Sequence, residues 1–260
     1  MNYEQIVTTW RKLHITNAAE LATALNGYVI HFAYHSGKIE NDSITYNDTR
    51  EIFEHDGVVN YTGDLRTLYE IRNAKDASNF VLDAFENRRP LDINFIRDLQ
   101  YQIAKNTYDE RRWKVGERPG TFKKNDYIVG RFDTGTAPED VEAELDALLS
   151  EAHAIQPETK EQSLTVAAYL HAGFEHIHPF SDGNGRTGRL LMNYYLLLAN
   201  HPPMVIHNED KNLYYKSLEA YDVQDELEPL KLFLQAEIVK TWDIPYFRHK
   251  AQRLNQQSNT

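Results

Sequence analysis

Residues 171–198 read HAGFEHIHPFSDGNGRTGRLLMNYYLLL, and the way this stretch folds decides how the chain folds. Apolar residues return every three or four positions on both sides of a turn that holds Pro179, Gly183 and Gly185. That pattern is one helix running into a turn, with a second, apolar helix beginning near Arg186. Backbone N–H groups at a helix start lack internal partners and sit at the positive end of its dipole, so the turn is a cradle for an anion such as phosphate. Arg186 and Arg189 lie on one face of the new helix, and both are planar donors suited to phosphate oxygens. Asp182 is a hard oxygen ligand of the kind magnesium takes, with phosphate oxygens and waters completing the shell. His178, just ahead of the turn, is the obvious proton acceptor. Taken singly, each residue has a plainer reading: a linking turn, with Phe180 buried and His178 bonded to a carbonyl, and a lone Gly-x-Gly says little about phosphate. Their co-occurrence within the twelve positions 178–189 is what points to chemistry.

Outward from this segment the helical rhythm continues. Apolar residues recur at helical spacing through 18–33, 65–85, 93–103, 141–149, 164–174 and 227–238, which makes the chain mainly α. Arg89-Pro90 stops one helix, Pro138-Glu139-Asp140 opens another, and Pro202-Pro203 ends a third. One stretch breaks the rhythm. Residues 115–136 set Gly116, Gly120, Gly130 and Gly135 around alternating Tyr127, Ile128, Val129 and Phe132, and read as a β-hairpin on the helical body. Such a hairpin is either a surface loop or a flap whose free strand edge pairs with an extended peptide. Residues 251–260, polar and rich in Asn and Gln, read as a disordered tail.

The 260 residues, 41% of them hydrophobic, suffice for a single enzyme-sized domain. Cysteine is absent, so the chemistry uses oxygen and nitrogen groups and involves neither disulfides nor thiolate metal sites. A net charge of −11 argues against general binding to nucleic acid, and any anion site must be local. The start, MNYEQIVTTWRKLHIT, resembles no signal segment, and no stretch approaches the roughly 18 uninterrupted apolar residues of a membrane span, so a soluble, cytoplasmic protein is expected.

The run from His178 to Arg189, HPFSDGNGRTGR, resembles the signature of the Fic family, HxFx(D/E)GNGRxxR, with no fixed position missed. The resemblance extends from about Asn17 to Trp242. It implies an all-α Fic-type helical bundle with a small β-hairpin flap at about 115–135 that includes Val129 and Gly130, in one domain over residues 1–250. It also implies a protein adenylyltransferase, moving AMP from ATP with Mg2+ onto a Ser, Thr or Tyr hydroxyl of a protein target or of the chain itself. By the same resemblance His178 is the base, Asp182 the magnesium ligand, and Asn184 the holder of the α-phosphate. The Gly183 and Gly185 amides line the anion hole, Arg186 grips the β- and γ-phosphates, and Arg189 orients the γ-phosphate. Tyr214, Tyr215 and Asp222 fall in the segment that closes over adenine, although the two tyrosines also fit ordinary core positions.

A second motif lies upstream. Ser36 and Glu40 are one helical turn apart, and Ser36-x-x-x-Glu40-Asn41 resembles the family's inhibitory motif (S/T)xxxE(G/N), whose glutamate pairs with the second signature arginine, here Arg189. Such a pair would occupy the donor meant for the γ-phosphate and set a carboxylate against it. Glu40 also fits a solvated helix-end carboxylate, or a residue that positions water for removal of AMP. The same residues leave room for transfer of UMP or phosphocholine, for an inactive interaction module, and for a metal hydrolase built on His171, His176, His178 and Glu175. A homo-oligomer is left open.

Overall fold

The computed structural model describes residues 1–127 and 135–257. Its helices begin and end where side chains or backbone geometry satisfy their terminal groups. The first is α1 (Tyr3–Arg11), held by a capping box of Asn2 and Gln5. Next come α2 (Ala18–Ala24), capped by Asn17, and α3 (Tyr28–Glu40). The run expected as one helix over 18–33 is therefore two, because Gly27 adopts φ 78°, a left-handed conformation that breaks the helix. Then follow α4 (Tyr46–His55), α5 (Leu65–Glu86), α6 (Ile93–Ala104) and α7 (Glu110–Lys114), with Thr45, Asp64, Asp92 and Asp109 as their N-caps. The second half holds α8 (Val141–Ala154), α9 (Lys160–Ile177), α10 (Asn184–Leu198), α11 (Lys211–Gln224), α12 (Glu228–Trp242) and α13 (Pro245–Gln257).

The centre of the bundle is the pair α9 and α10, joined by residues 178–183. Helix α9 packs against α8, α10, α11 and α12, while α10 also meets α3, α5 and α6. Small residues allow these approaches: a Cβ on Gly173 would lie 2.6 Å from Leu148 Cδ1 of α8, and one on Gly188 would lie 2.5 Å from Glu175 Oε1 of α9. Phe95 of α6 stacks on Tyr194 of α10 at 4.4 Å. On the far side, Trp242 of α12 receives Trp10 of α1 edge-on at 5.2 Å and Tyr28 of α3 stacked at 5.7 Å. Helix α3 is thereby built into the body, with Phe32, Ala33 and Ile39 buried.

No strand occurs among the described residues, and the described flanks of the expected hairpin, 115–127 and 135–136, are turns and extended loop. Val129 and Gly130 lie outside the described residues. The end of the chain corrects the expectation of a disordered tail from 251: α13 continues to Gln257, and Ala251 is buried. No helix among the described residues is long and apolar enough to cross a membrane.

Candidate active site

Helix α9 ends on His178, whose backbone is left-handed (φ 50°, ψ 61°) and whose N–H still donates to the Phe174 carbonyl. This reversal turns the chain back toward α10. The turn is pinned from several sides. Phe180 is fully buried beside Phe122 and Phe174. The Lys123 N–H donates to Pro179 O at 2.9 Å, and Gln100 Nε2 donates to Asp182 O at 2.9 Å. Gly135 presses against its back, where a Cβ would lie 2.9 Å from His178 Cβ. Gln100 comes from α6 and was not expected at the site, whereas Lys123 and Gly135 fall within the stretch expected to form the flap.

Asn184 closes the turn: its Oδ1 accepts the Phe180 N–H at 2.9 Å and its Nδ2 donates one hydrogen to Phe180 O at 2.7 Å. What remains for an anion is the helix start. Helix α10 has no side-chain cap, and Gly183 at its N-cap takes φ 83°, so the first-turn amides stay open to a ligand.

The two signature arginines are both buried and both engaged. Arg189, 1% exposed, donates from Nε to Ser36 Oγ at 3.0 Å and from Nη2 to Ser36 O and Glu40 Oε1, each at 2.8 Å. The Glu40 carboxylate rests on the start of α10, where a Cβ on Gly185 would collide with its Oε1. A carboxylate thus lies against the open end of the helix dipole. Arg186 reaches Asp182 Oδ1 at 3.2 Å and Glu70 Oε1 at 3.5 Å. Asp182 also meets Arg66 Nη2 at 2.7 Å and Arg112 Nη2 at 3.7 Å. Arg66, Glu70 and Arg112 carry no local motif that would have marked them.

Burial pushes the His178 ring down to about 4, helped by the nearby Lys123 charge and opposed by the Glu175 carbonyl, Glu40 and Asp182. His178 is therefore neutral at physiological pH, and its Nδ1 is buried without a hydrogen bond. Glu175 is pushed the other way, up to about 8, by burial first, then by Glu40 and Asp222 against the pull of Arg189. Glu175 Oε1, Ser181 Oγ, Arg186 Nε and Thr187 Oγ1 are likewise buried without partners. The neighbourhood of the turn holds more donors and acceptors than it satisfies internally.

Of the residues expected near adenine, Tyr214 is 1% exposed, with its hydroxyl 2.7 Å from His171 Nε2. It is a core aromatic whose polar tip is satisfied within the bundle. Tyr215 is exposed, and Asp222 Oδ1 lies 3.1 Å from His176 Nδ1. The metal-hydrolase set is not assembled: His171 is committed to Tyr214 and His176 to Asp222. The described residues that do cluster with ligand spacing are His207, Asp210 and Glu237, away from this turn and already bonded to one another or to Lys240.

A family model described as Fic/DOC matches residues 90–196, a span that contains the pinned turn and both arginines. Over that span the chain is similar to the Fic/DOC family. Among similar proteins, the protein adenylyltransferase Fic of Drosophila persimilis is 29% identical over 241 residues, covering 89% of this chain and 43% of that protein. The corresponding protein of Drosophila yakuba is also 29% identical, with 89% and 44% covered. The chain thus spans less than half the length of these curated relatives. A Fic domain containing signaling protein from Bacteroides thetaiotaomicron shares the fold over 98% of this chain and 97% of its own, with a TM-score of 0.77 and 23% identity. Fic-1 from C. elegans shares it over 99% and 73%, with a TM-score of 0.69 and 21% identity.

Proposed function

We propose that this Fic domain transfers AMP from ATP to a hydroxyl of a protein, and that Glu40 holds it in check. The observation that carries this reading is the convergence on the uncapped start of α10 of a neutral His178, the Asp182 carboxylate and the Arg186 and Arg189 guanidiniums. The curated relatives named protein adenylyltransferase support it. In-line displacement at phosphorus is mostly positioning and charge neutralisation. The target hydroxyl oxygen bonds to the α-phosphorus as the bond to the bridging oxygen breaks, pyrophosphate leaves, and the hydroxyl proton passes to His178. With Nδ1 buried, Nε2 is the ring nitrogen left to receive it. The Gly183–Gly185 backbone and Arg186 hold the phosphates. Asp182 suits Mg2+ as a hard, partly exposed carboxylate with no other carboxylate required beside the phosphate oxygens and waters. When bound there, magnesium neutralises polyphosphate charge. The expected flap, described only at its flanks 115–127 and 135–136, borders the site through Gly135, and its role would be to face the target.

Inhibition follows from competition. Glu40 occupies the Arg189 fork and lies on the helix start where the γ-phosphate would be, so ATP binds misaligned. The first test incubates the protein, Glu40→Gly and His178→Ala with magnesium, α-labelled ATP and cell lysate. Label rising at least tenfold in Glu40→Gly, with the mass of one AMP, and lost in His178→Ala is the expected result. Equal labelling of the parent and Glu40→Gly would sink the inhibitory role. No label in any variant, combined with release of AMP from a modified protein that depends on Glu40, would replace transfer by AMP removal.

A further inference from the structure

Asp182 is gripped by three guanidiniums at once, and only Arg186 belongs to the signature. Arg66 reaches it from the first turn of α5 at 2.7 Å, and Arg112 from α7 at 3.7 Å. Behind them, Glu70 accepts Arg66 Nε at 3.1 Å and faces Arg186 Nη1 at 3.5 Å, while Arg112 also holds Asp109 at 3.2 Å. Three positive charges thus meet three negative ones, Asp182, Glu70 and Asp109. We propose that Arg66, with Arg112 beside it, binds the terminal phosphates of the nucleotide directly, extending the phosphate site beyond the signature motif.

This role rests on the ATP-dependent reading above and follows from charge and geometry. Asp182 has two oxygens for three guanidiniums, so Arg66 and Arg112 keep N–H groups that it does not satisfy, and an incoming polyphosphate supplies acceptors for them whether or not a cation is bound. Arg66 is fitted for this role. Its side chain is 39% exposed, so a ligand reaches it, while the bond from Nε to Glu70 keeps the fork aimed at the site. Arg112 and Arg186 each keep a buried Nε with no acceptor, so the cluster has donors to spare. Asn41, at the end of the inhibitory motif, donates to Glu70 Oε2 at 2.7 Å, which anchors the same carboxylate from the other side.

The competing view is that Arg66 only orients Asp182. The two differ in the absence of metal, because guanidinium–phosphate contacts persist in a chelator while a role exerted through Asp182 does not. Binding of tripolyphosphate, ATP and AMP is measured calorimetrically in EDTA, using the full chain with Glu40→Gly as parent and Arg66→Gln and Arg66→Lys built on it. Thermal melting checks that all three are folded. Arg66→Gln is expected to weaken tripolyphosphate and ATP about ten- to a hundredfold, Arg66→Lys to recover part of the loss, and AMP, which lacks the terminal phosphates, to bind all three equally. Equal tripolyphosphate affinity in the parent and Arg66→Gln, or no tripolyphosphate binding at all, overturns the proposal. The two readings fail separately. Intact AMP transfer with tripolyphosphate affinity indifferent to Arg66 removes only the role of Arg66; Arg66-dependent tripolyphosphate binding in a protein that never transfers AMP removes only the transferase.

Discussion

At the scale of single residues, the site is organised around a histidine that burial keeps neutral. Because the His178 ring sits at about 4 in the ligand-free protein, the acid limb of kcat/KM for AMP transfer by Glu40→Gly is expected near pH 4, well below the 6.5 of a free imidazole. The sign is fixed: the depressed group stays deprotonated as pH falls from 6.5 and is lost as a base only below its folded value. Removing Glu40 deletes a negative neighbour, which lowers it further. An acid limb near 6.5 in a pH series of initial rates would mean that His178 is solvated in the working state. The residues legible in the sequence were those whose meaning is local: His178, Asp182, Arg186 and Arg189 share one turn, and Ser36 and Glu40 share one face of α3. Arg66 was illegible because it lies 116 residues from Asp182 and its neighbours in sequence say nothing about phosphate. Tyr214 was ambiguous for a different reason, since a tyrosine at helical spacing serves a core or a pocket equally well until its burial is known.

At the scale of elements, helices with strong apolar periodicity were readable and short or interrupted ones were not. The runs at 65–85 and 93–103 correspond to α5 and α6 nearly residue for residue. Helix α1 escaped because nine residues give little periodicity, although Ile6, Val7 and Trp10 are deeply buried. The tail was misjudged because composition alone does not show that Phe247 and Ala251 find a surface to pack on. The α9–α10 contact makes the sharpest prediction here. Gly188→Ala would drive a methyl to 2.5 Å from Glu175 Oε1 and 2.9 Å from Phe174 Cδ1 in the most tightly packed part of the bundle. A loss of about 1–3 kcal/mol in chemical denaturation is expected, with AMP transfer falling as well, because the turn at 178–183 joins these two helices. Unchanged stability would mean that the helices separate freely, and that the site does not depend on their spacing.

At the scale of the whole molecule, buried titratable groups give stability opposing dependences on pH. The Glu175 carboxyl, raised to about 8 against an ordinary value of 4.5, costs nothing below pH 4.5; stability then drains away as pH rises toward 8, because the unfolded chain releases this proton first. Burial lowers His171 to about 3 and His201 to about 4, so each costs stability as pH falls below 6.5. Glu175→Gln should therefore gain on the parent steadily between pH 5 and 8 in urea unfolding, and an offset that does not change with pH would refute this. Packing across the whole molecule also bears on how the proposed inhibition would end. Helix α3 is wedged among α4, α5 and α10, with Phe32 and Ile39 buried, Gly37 tight against Ile44, and Asn41 hooked to Thr67 and Glu70. A helix rooted in this way cannot leave without opening the core, whereas the Glu40 carboxylate needs only a rotamer change at its exposed end. If Glu40 inhibits as proposed, its release is a side-chain event on the nanosecond scale, and the amides of α3 should resist deuterium exchange equally with Glu40 seated and displaced.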